Sequence, residues 1–333
     1  MFGQGDWSTC PKVEPRAGAL SLAAIFACVT GLPAEAQYFP GKPISFIVGF
    51  PPGGGADIVA RVIGQKLSES VGQPVVIINR PGADSVIGYE YASQAQADGY
   101  TLLLVTTEFA INPSLYKNLP YNVSRDFAAV SSAASAPYVL VLHPSIPADS
   151  IEGLIALAKA KPGQLTYASS GTGVYLASEL FAGMAGISLL RVPYKGGPQA
   201  VSDVIGGQIS LMFPSMPTGY PHVKSGKLKA LAVTSEKRSM TAPALPTIAE
   251  SGLPRYDAIQ WWGVSTRAGV PKEIVSKLNS EIVKALNTPE VKDRLAAQGV
   301  DVRGSTSEQF STFISAEMSK WGKVVKDSGA KID

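Results

Sequence analysis

The sequence predicts an α/β protein made of two domains on mostly parallel sheets covered by helices. Three observations carry this. Short apolar, β-branched runs alternate with segments of helical periodicity along most of the chain. Glycine-rich junctions follow strands in both halves, and 333 residues suggest two domains at about 150 residues each.

The first 36 residues stand apart. After Lys12 and Arg16 comes the apolar run ALSLAAIFACVTG, Ala19 to Gly31, and then PAEA, where Ala34 and Ala36 flank a cleavage point. This order reads as a secretory signal peptide cleaved after Ala36; the run is too short for a membrane span of about 20 residues. A periplasmic product is expected. Cys10 and Cys28 both lie in the leader, so the mature chain from Gln37 has no thiol for catalysis, metal or disulfide. The formal net charge is +3, to which the leader (Asp6, Lys12, Glu14, Arg16, Glu35) contributes −1, and a mature chain near +4 gives no case for nucleic acid.

The elements follow in order. ISFIVGF (Ile44 to Phe50) reads as a strand, and IVARVIGQKL as a helix beginning near Asp57 or Ile58, with Ile58, Val59, Val62, Ile63 and Leu67 on one face. VVIINR (Val75 to Arg80) is a second strand, followed by PGADS and a helix from Val86. TLLLVTT (Thr101 to Thr107) is a third, leading into a polar and aromatic loop that ends in NPSLY. A second set starts at YVLVLHP (Tyr138 to Pro144). Asp149 and Glu152 suggest a capping pair for IEGLIALAKA. LTYAS (Leu165 to Ser169) passes through SGTG into VYLASELFAGMAG, and LLRV, ISLMF and ALAVTS are further short strands. The last third is helical: PKEIVSKLNSEIVKAL, PEVKDRLAAQ and SEQFSTFISAEMSKWGKVV, the last with Ser305 and Glu308 as a capping box. Such a tail packs back on the first domain, which makes 37–138 plus 259–333 one domain and 139–258 an insertion.

The glycine junctions need a purpose. Pro51 to Gly55 joins a strand to a helix, and glycine lets backbone amides turn outward and approach a ligand closely. Unpaired N–H groups at a helix start carry partial positive charge, so each such junction is a receptor for an anion. Pro81 to Ser85 repeats the arrangement in the first domain, and Ser169 to Gly173 repeats it in the second. Ligands of open parallel sheets sit beyond the carboxyl ends of strands, where all three loops must be. One helix start is worth about 0.3 to 1 kcal/mol to a nearby anion and each hydrogen bond to a charged group about 1.5 to 3, so two opposed loops reach the roughly 8 kcal/mol of micromolar binding.

Candidates for catalysis fail. G-x-G-x-x-G breaks at Ile58 in the first loop and at Leu176 in the second, no Lys follows the glycines, and G-x-S-x-G does not occur. His143 and His222 each adjoin a proline without a second histidine at ligand spacing, which suggests surface roles. Asp57 and Asp84 have a structural explanation as helix N-caps, with the Asp57 amide facing ligand, and Trp261 and Trp262 one as packing at an interdomain crossing. No catalytic residue, metal site or cofactor is expected.

Eight motifs in order then carry a resemblance: FPPGGGADIVAR, NRPGA with a later IG, DGYTLLLVT, INPSLY, YASSGTG, VPYKGGPQAVSDVIGGQISLMF, GKLKALAVTS and LPTIAESGLP. Over almost its whole mature length the chain resembles the periplasmic solute receptors of tripartite tricarboxylate transporters, the Bug proteins. The resemblance implies a type II, Venus-flytrap binding protein, a monomer that closes an interdomain cleft on a small carboxylate and delivers it to a permease of one large and one small subunit. Family ligands are tricarboxylates, dicarboxylates, amino acids and aromatic carboxylates. The carboxylate-holding loop would be Phe50 to Asp57, with Gly54, Gly55 and Ala56 at its centre. Gly82, Asp84 and Ser85 would form the second loop. Ser169, Ser170, Gly171, Thr172 and Gly173 would oppose them, with Thr107 at the end of its strand and Asp203 and Phe213 from the second domain. This chain departs from the family where Asp84 and Ser85 replace a glycine and where Tyr175 replaces a histidine. A carboxylate at Asp84 would repel a second anionic group, and Tyr175 would suit an aromatic ligand. An exported hydrolase or lyase in the same cleft, and a receptor for a membrane sensor, are the alternatives.

Overall fold

The computed structural model describes residues 39–331 and Pro11. The expected signal peptide, apart from Pro11, lies outside the described residues. Strand β1 (Ile44–Val48) is apolar at four of its five positions, and those four are buried, so both faces are covered, as expected for a parallel strand. It pairs in parallel with β2 (Val75–Asn79) and β3 (Thr101–Thr106), with Phe46 opposite Ile77 and Leu102. Helix α1 (Gly55–Val71) crosses from β1 to β2. It buries Val59, Ile63 and Leu67 at helical spacing and ends on Gly72, whose left-handed backbone (φ 67) lets its N–H reach the Ser68 carbonyl. Full burial of one such side chain is worth about 1.5–3 kcal/mol. Helix α2 (Val86–Ser93) makes the next crossing, and α3 (Thr107–Leu115) and the single turn α4 (Val123–Asp126) lead to the long strand β4 (Phe127–Pro137).

The chain then enters a second sheet through β5 (Val139–Leu142) and α5 (Ile151–Ala160). It continues through β6 (Thr166–Ser169), α6 (Thr172–Ala185), β7 (Leu190–Pro193), α7 (Gly197–Ile205), β8 (Leu211–Met212), α8 (Met216–Lys224) and β9 (Lys229–Val233). It returns to the first sheet by β10 (Ile259–Arg267) and ends with α9 (Lys272–Leu286), α10 (Pro289–Ala296), β11 (Asp301–Val302) and α11 (Ser307–Ser328). The strand orders are β11-β4-β10-β3-β1-β2 and β7-β6-β8-β5-β9. Helices α9 and α11 lie against β4, and α9 also packs on α1.

Four expectations need correction. The sheets are mixed, not mostly parallel: β4 and β10 pair antiparallel from Phe127↔Arg267 to Pro137↔Ile259 because one carries the chain out of the first sheet and the other brings it back. The expected loop before NPSLY is helix α3. Its residues Thr107 to Asn112 are all buried, so it shows no polar face and no helical period. Helix α1 begins at Gly55, two or three residues before the expected start near Asp57 or Ile58. Both capping motifs shift by a residue. Ser150 accepts the Gly153 N–H in place of Asp149, and Thr306 with Gln309 forms the reciprocal box in place of Ser305 with Glu308.

Candidate functional site

The carboxyl ends of β1 and β6, each followed by a glycine turn and a helix start, face one cavity between the two sheets. Its volume is ≈ 40 Å³. Phe50, Pro51, Gly54, Gly55 and Ala56 come from the first sheet's side, with Glu108 of α3 and Gln260 of β10; Ser170, Val174, Gly197, Ser215 and Thr218 come from the second.

The first wall is the start of α1. Gly54 is its N-cap residue in extended conformation and makes no side-chain cap, so Gly55 and Ala56 present first-turn amides. Asp57 was expected to cap the helix; instead it stands two residues inside it and works from below. Its Oδ2 accepts from the Gly53 N–H and from Arg61 Nε, both at 2.9 Å, while Oδ1 accepts from Asn79 Nδ2 at 2.9 Å. Asn79 Nδ2 also donates to the Phe50 carbonyl. The carboxylate thus ties both ends of the loop to β2. Burial alone would raise the Asp57 carboxyl, but the bonds from Arg61, Gly53 and Asn79 hold it below its ordinary 3.8. The sign follows: this stabilisation is fully present above 3.8 and is lost as pH falls through the lower folded value. Asp57→Asn should therefore lower the melting temperature by an amount that is constant from pH 7 to 5 and shrinks below 3.8; a difference independent of pH would remove the charge from the account.

The opposite wall is the start of α6. Gly171 precedes it at φ 142, a backbone region strained for any residue with a side chain. Gly173 admits no side chain either, since a Cβ there would collide with Tyr138 Oη and stand 3.0 Å from Glu108 Oε1.

Each helix start meets a side chain from the other sheet. The Gly55 N–H donates to Thr218 Oγ1 at 3.1 Å, and Thr218 Oγ1 lies 3.0 Å from Ser215 Oγ. The Gly173 N–H donates to Glu108 Oε1 at 3.2 Å, and Glu108 Oε2 accepts from Thr106 Oγ1. A neutral hydroxyl therefore faces one helix start and a carboxyl faces the other. Glu108 is 2 % exposed and is the one ionisable group among the cavity-lining residues. Burial, reinforced by the charge of Asp84, raises its pKa above the usual carboxyl value despite the bonds from Thr106 and Gly173. Gln260 is 8 % exposed, and its Oε1 has no hydrogen-bond partner among the described residues.

The residues expected from the sequence divide by position. Phe50, Gly54, Gly55, Ala56 and Ser170 line the cavity. Thr172 Oγ1 lies 3.2 Å from Asn112 Oδ1, joining α6 to α3, and Ser169 is buried at the end of β6. Thr107 begins α3 instead of ending its strand, and its Oγ1 accepts the Trp261 N–H at 3.2 Å. Phe213 packs on Phe181, and Asp203 accepts from Tyr194 Oη at 2.7 Å; neither lines the cavity. Nor do Gly82, Asp84 and Ser85. Asp84 does not cap α2, where Ser85 holds the N-cap position without a side-chain cap bond; its carboxylate accepts from Tyr116 Oη at 3.3 Å, and burial raises its pKa. The backbone at Ala83, Asp84 and Ser85 is left-handed (φ 45, 51 and 72), held by Ser85 Oγ on the Gly49 carbonyl and Asn112 Nδ2 on the Asp84 carbonyl. Tyr175 is turned from the cavity lining, with the Arg191 guanidinium 3.9 Å from its ring centroid. Sequence reasoning missed Glu108, Gln260, Ser215 and Thr218.

Among the described residues no group of His, Cys, Asp and Glu is placed to hold a metal, and no helix is long and apolar enough to cross a membrane.

This is the architecture of a two-domain periplasmic binding protein, and comparison with known proteins gives the family. Residues 59–330 match the model of the tripartite tricarboxylate transporter family receptor, and the chain belongs to that family, which consists of substrate-binding receptors and not of enzymes. The chain is 40% identical over 319 residues to protein BugT of Bordetella pertussis, covering 94% of this chain and 98% of that one. Among solved structures, R. palustris Rpa4515 with adipate has a TM-score of 0.86 at 33% identity, covering 88% of this chain and 100% of that one. MatC from Rhodopseudomonas palustris with bound malate has a TM-score of 0.81 at 27% identity, covering 86% and 100%.

Proposed function

We propose that this chain is a periplasmic receptor that captures a small carboxylate between its two domains and delivers it to the permease of a tripartite tricarboxylate transporter. The domains in this reading are 37–138 with 259–333, and 139–258. The observation that carries it is the pairing at α1: the Gly55 N–H, at a helix start whose N-cap residue makes no side-chain cap bond, donates to the neutral hydroxyl of Thr218, which lies 3.0 Å from Ser215 Oγ. A ligand carboxylate that takes the place of Thr218 exchanges a neutral acceptor for a charged one, and hydrogen bonds to charged groups are roughly twice as strong. The same ligand then touches groups from both sheets, so it favours the closed form by the difference in its affinity for closed and open states. The adipate and malate of the solved relatives agree with a carboxylate as the captured group.

A thermal-shift screen of the mature protein against aliphatic, amino and aromatic carboxylates tests this. A ligand at 100 times its Kd should add about 2.7 kcal/mol of stability, and methyl esters of the same acids should add none. Equal shifts from acid and ester would sink the carboxylate reading, and steady conversion of a candidate ester or acid would return the protein to the hydrolases.

A further inference from the structure

We propose that Glu108 sets the specificity of the cleft: its carboxyl fills the anion-receiving place at the start of α6, so the ligand carries one carboxylate, and its far end bears an N–H or O–H donor in place of a second carboxylate. This rests on the carboxylate reading above and narrows it.

The two helix starts are asymmetric. Each offers a first-turn N–H that a side chain from the other sheet now engages, and either N–H would otherwise receive a carboxylate. At α1 the group standing there is the hydroxyl of Thr218, which is neutral. At α6 it is the protein's own carboxyl, held from the other sheet by the Gly173 N–H. A second ligand carboxylate at α6 would have to displace Glu108 or lie beside a carboxyl that is 2 % exposed.

Protonation of Glu108 does not rescue a dicarboxylate. Oε1 already accepts the Gly173 N–H, so it stays an acceptor in either state. Oε2 is engaged with Thr106 Oγ1, which in turn lies 3.2 Å from Tyr89 Oη. A proton on Oε2 would therefore be turned into that chain of hydroxyls and away from the ligand. The charge on Asp84 adds to the negative side of the balance at this end, and Arg191, which offsets Asp84, is committed to the face of Tyr175.

A second observation points the same way. Gln260 also lines the cavity, is 8 % exposed, and has an Oε1 without a partner among the described residues. Two buried acceptors, the Glu108 carboxyl and the Gln260 amide oxygen, thus border a space whose lining residues include no Lys, Arg or His. A buried acceptor left unmatched is costly, and a ligand bearing an amino, amide or hydroxyl group matches both. The adipate and malate of the solved relatives each carry two carboxylates; a ligand of this chain would carry one and turn a donor toward Glu108.

The test uses ligand pairs of matched length, each a dicarboxylate and its donor-ended counterpart: succinate with 4-aminobutanoate, adipate with 6-aminohexanoate and 6-hydroxyhexanoate, and terephthalate with 4-(aminomethyl)benzoate. Calorimetric titration of wild-type protein should show the donor-ended member bound at least tenfold tighter in every pair where either binds. In Glu108→Gln, which keeps an oxygen for the Gly173 N–H and adds an amide donor, that preference should fall by at least tenfold. A dicarboxylate bound more tightly than its counterpart by wild type overturns the inference and leaves the carboxylate reading standing, as does an unchanged preference in a folded E108Q. Binding of none of these acids by folded wild-type protein overturns both. If E108Q does not fold, the wild-type ratios alone decide.

Discussion

Gly55→Ala should leave the protein at least as stable as wild type and weaken ligand binding on the order of a hundredfold. The two halves of this result come from different parts of the structure. Gly55 is the first residue of α1 and its φ is not left-handed, so alanine fits the backbone, and in helices alanine is favoured over glycine by up to about 1 kcal/mol. The obstacle is across the cleft. A Cβ on Gly55 would stand 2.6 Å from Ser215 Oγ, with Trp262 Cζ2 at 3.3 Å on its own side. Ser215 belongs to the second sheet's side, so most of the clash exists only when the sheets are drawn together. The variant would therefore fold normally but resist closure. A hundredfold loss corresponds to about 2.7 kcal/mol, a reasonable size for one methyl forced into closed packing. Calorimetry and thermal melts of the same preparation decide it. Affinity within threefold of wild type would mean that the ligand-bound form keeps the sheets further apart than they stand here.

What could be read from the residues alone follows physical lines. Strand β1 and helix α1 announce themselves because each buries a continuous or periodic apolar surface, and the glycine turns do so through Gly53 and Gly171, whose positive φ (79 and 142) few other residues permit. Glu108 was hidden for the opposite reason. Helix α3 is buried from Thr107 to Asn112, so these residues show no period, and a charged residue among them reads as part of a loop. The one sequence signal was a carboxylate set between an apolar strand and an apolar run, in LLLVTTEFAI. Gln260 was masked by the tryptophans beside it in IQWWG. Thr218 and Ser215 reach the α1 amides over a sequence separation that no local pattern encodes. The mixed sheets belong to the same class, since the pairing of β4 with β10 depends on where the chain leaves the first sheet and returns.

Gly263→Ala should lower stability by about 2–3 kcal/mol, the upper part of the usual range for overpacking a filled core, and reduce the melting temperature by roughly 4–12 °C at 2–4 °C per kcal/mol. In an open strand the same change would be neutral or favourable, because glycine carries the larger entropy cost. Here β10 passes beneath α11 with no room for a methyl. A Cβ on Gly263 would collide with Phe310 Cζ and stand 2.6 and 2.8 Å from Cε1 and Cε2. Phe310 cannot easily withdraw, since it is 1 % exposed, sits edge-on to Trp261 at 6.0 Å, and follows the reciprocal Thr306 and Gln309 cap that places the first turn of α11. The backbone has little slack either, because the β10–β4 register shifts between Trp262 and Gly263. The cause can be isolated with Phe310→Leu, which removes the colliding ring atoms. Alone it should cost about 1–2 kcal/mol through lost packing, but beside Gly263→Ala it should restore at least 1 kcal/mol of what the alanine removed, a coupling expected only of residues in contact. Additive losses in the double variant would mean that Gly263 is needed for its backbone and not for the space it leaves to Phe310.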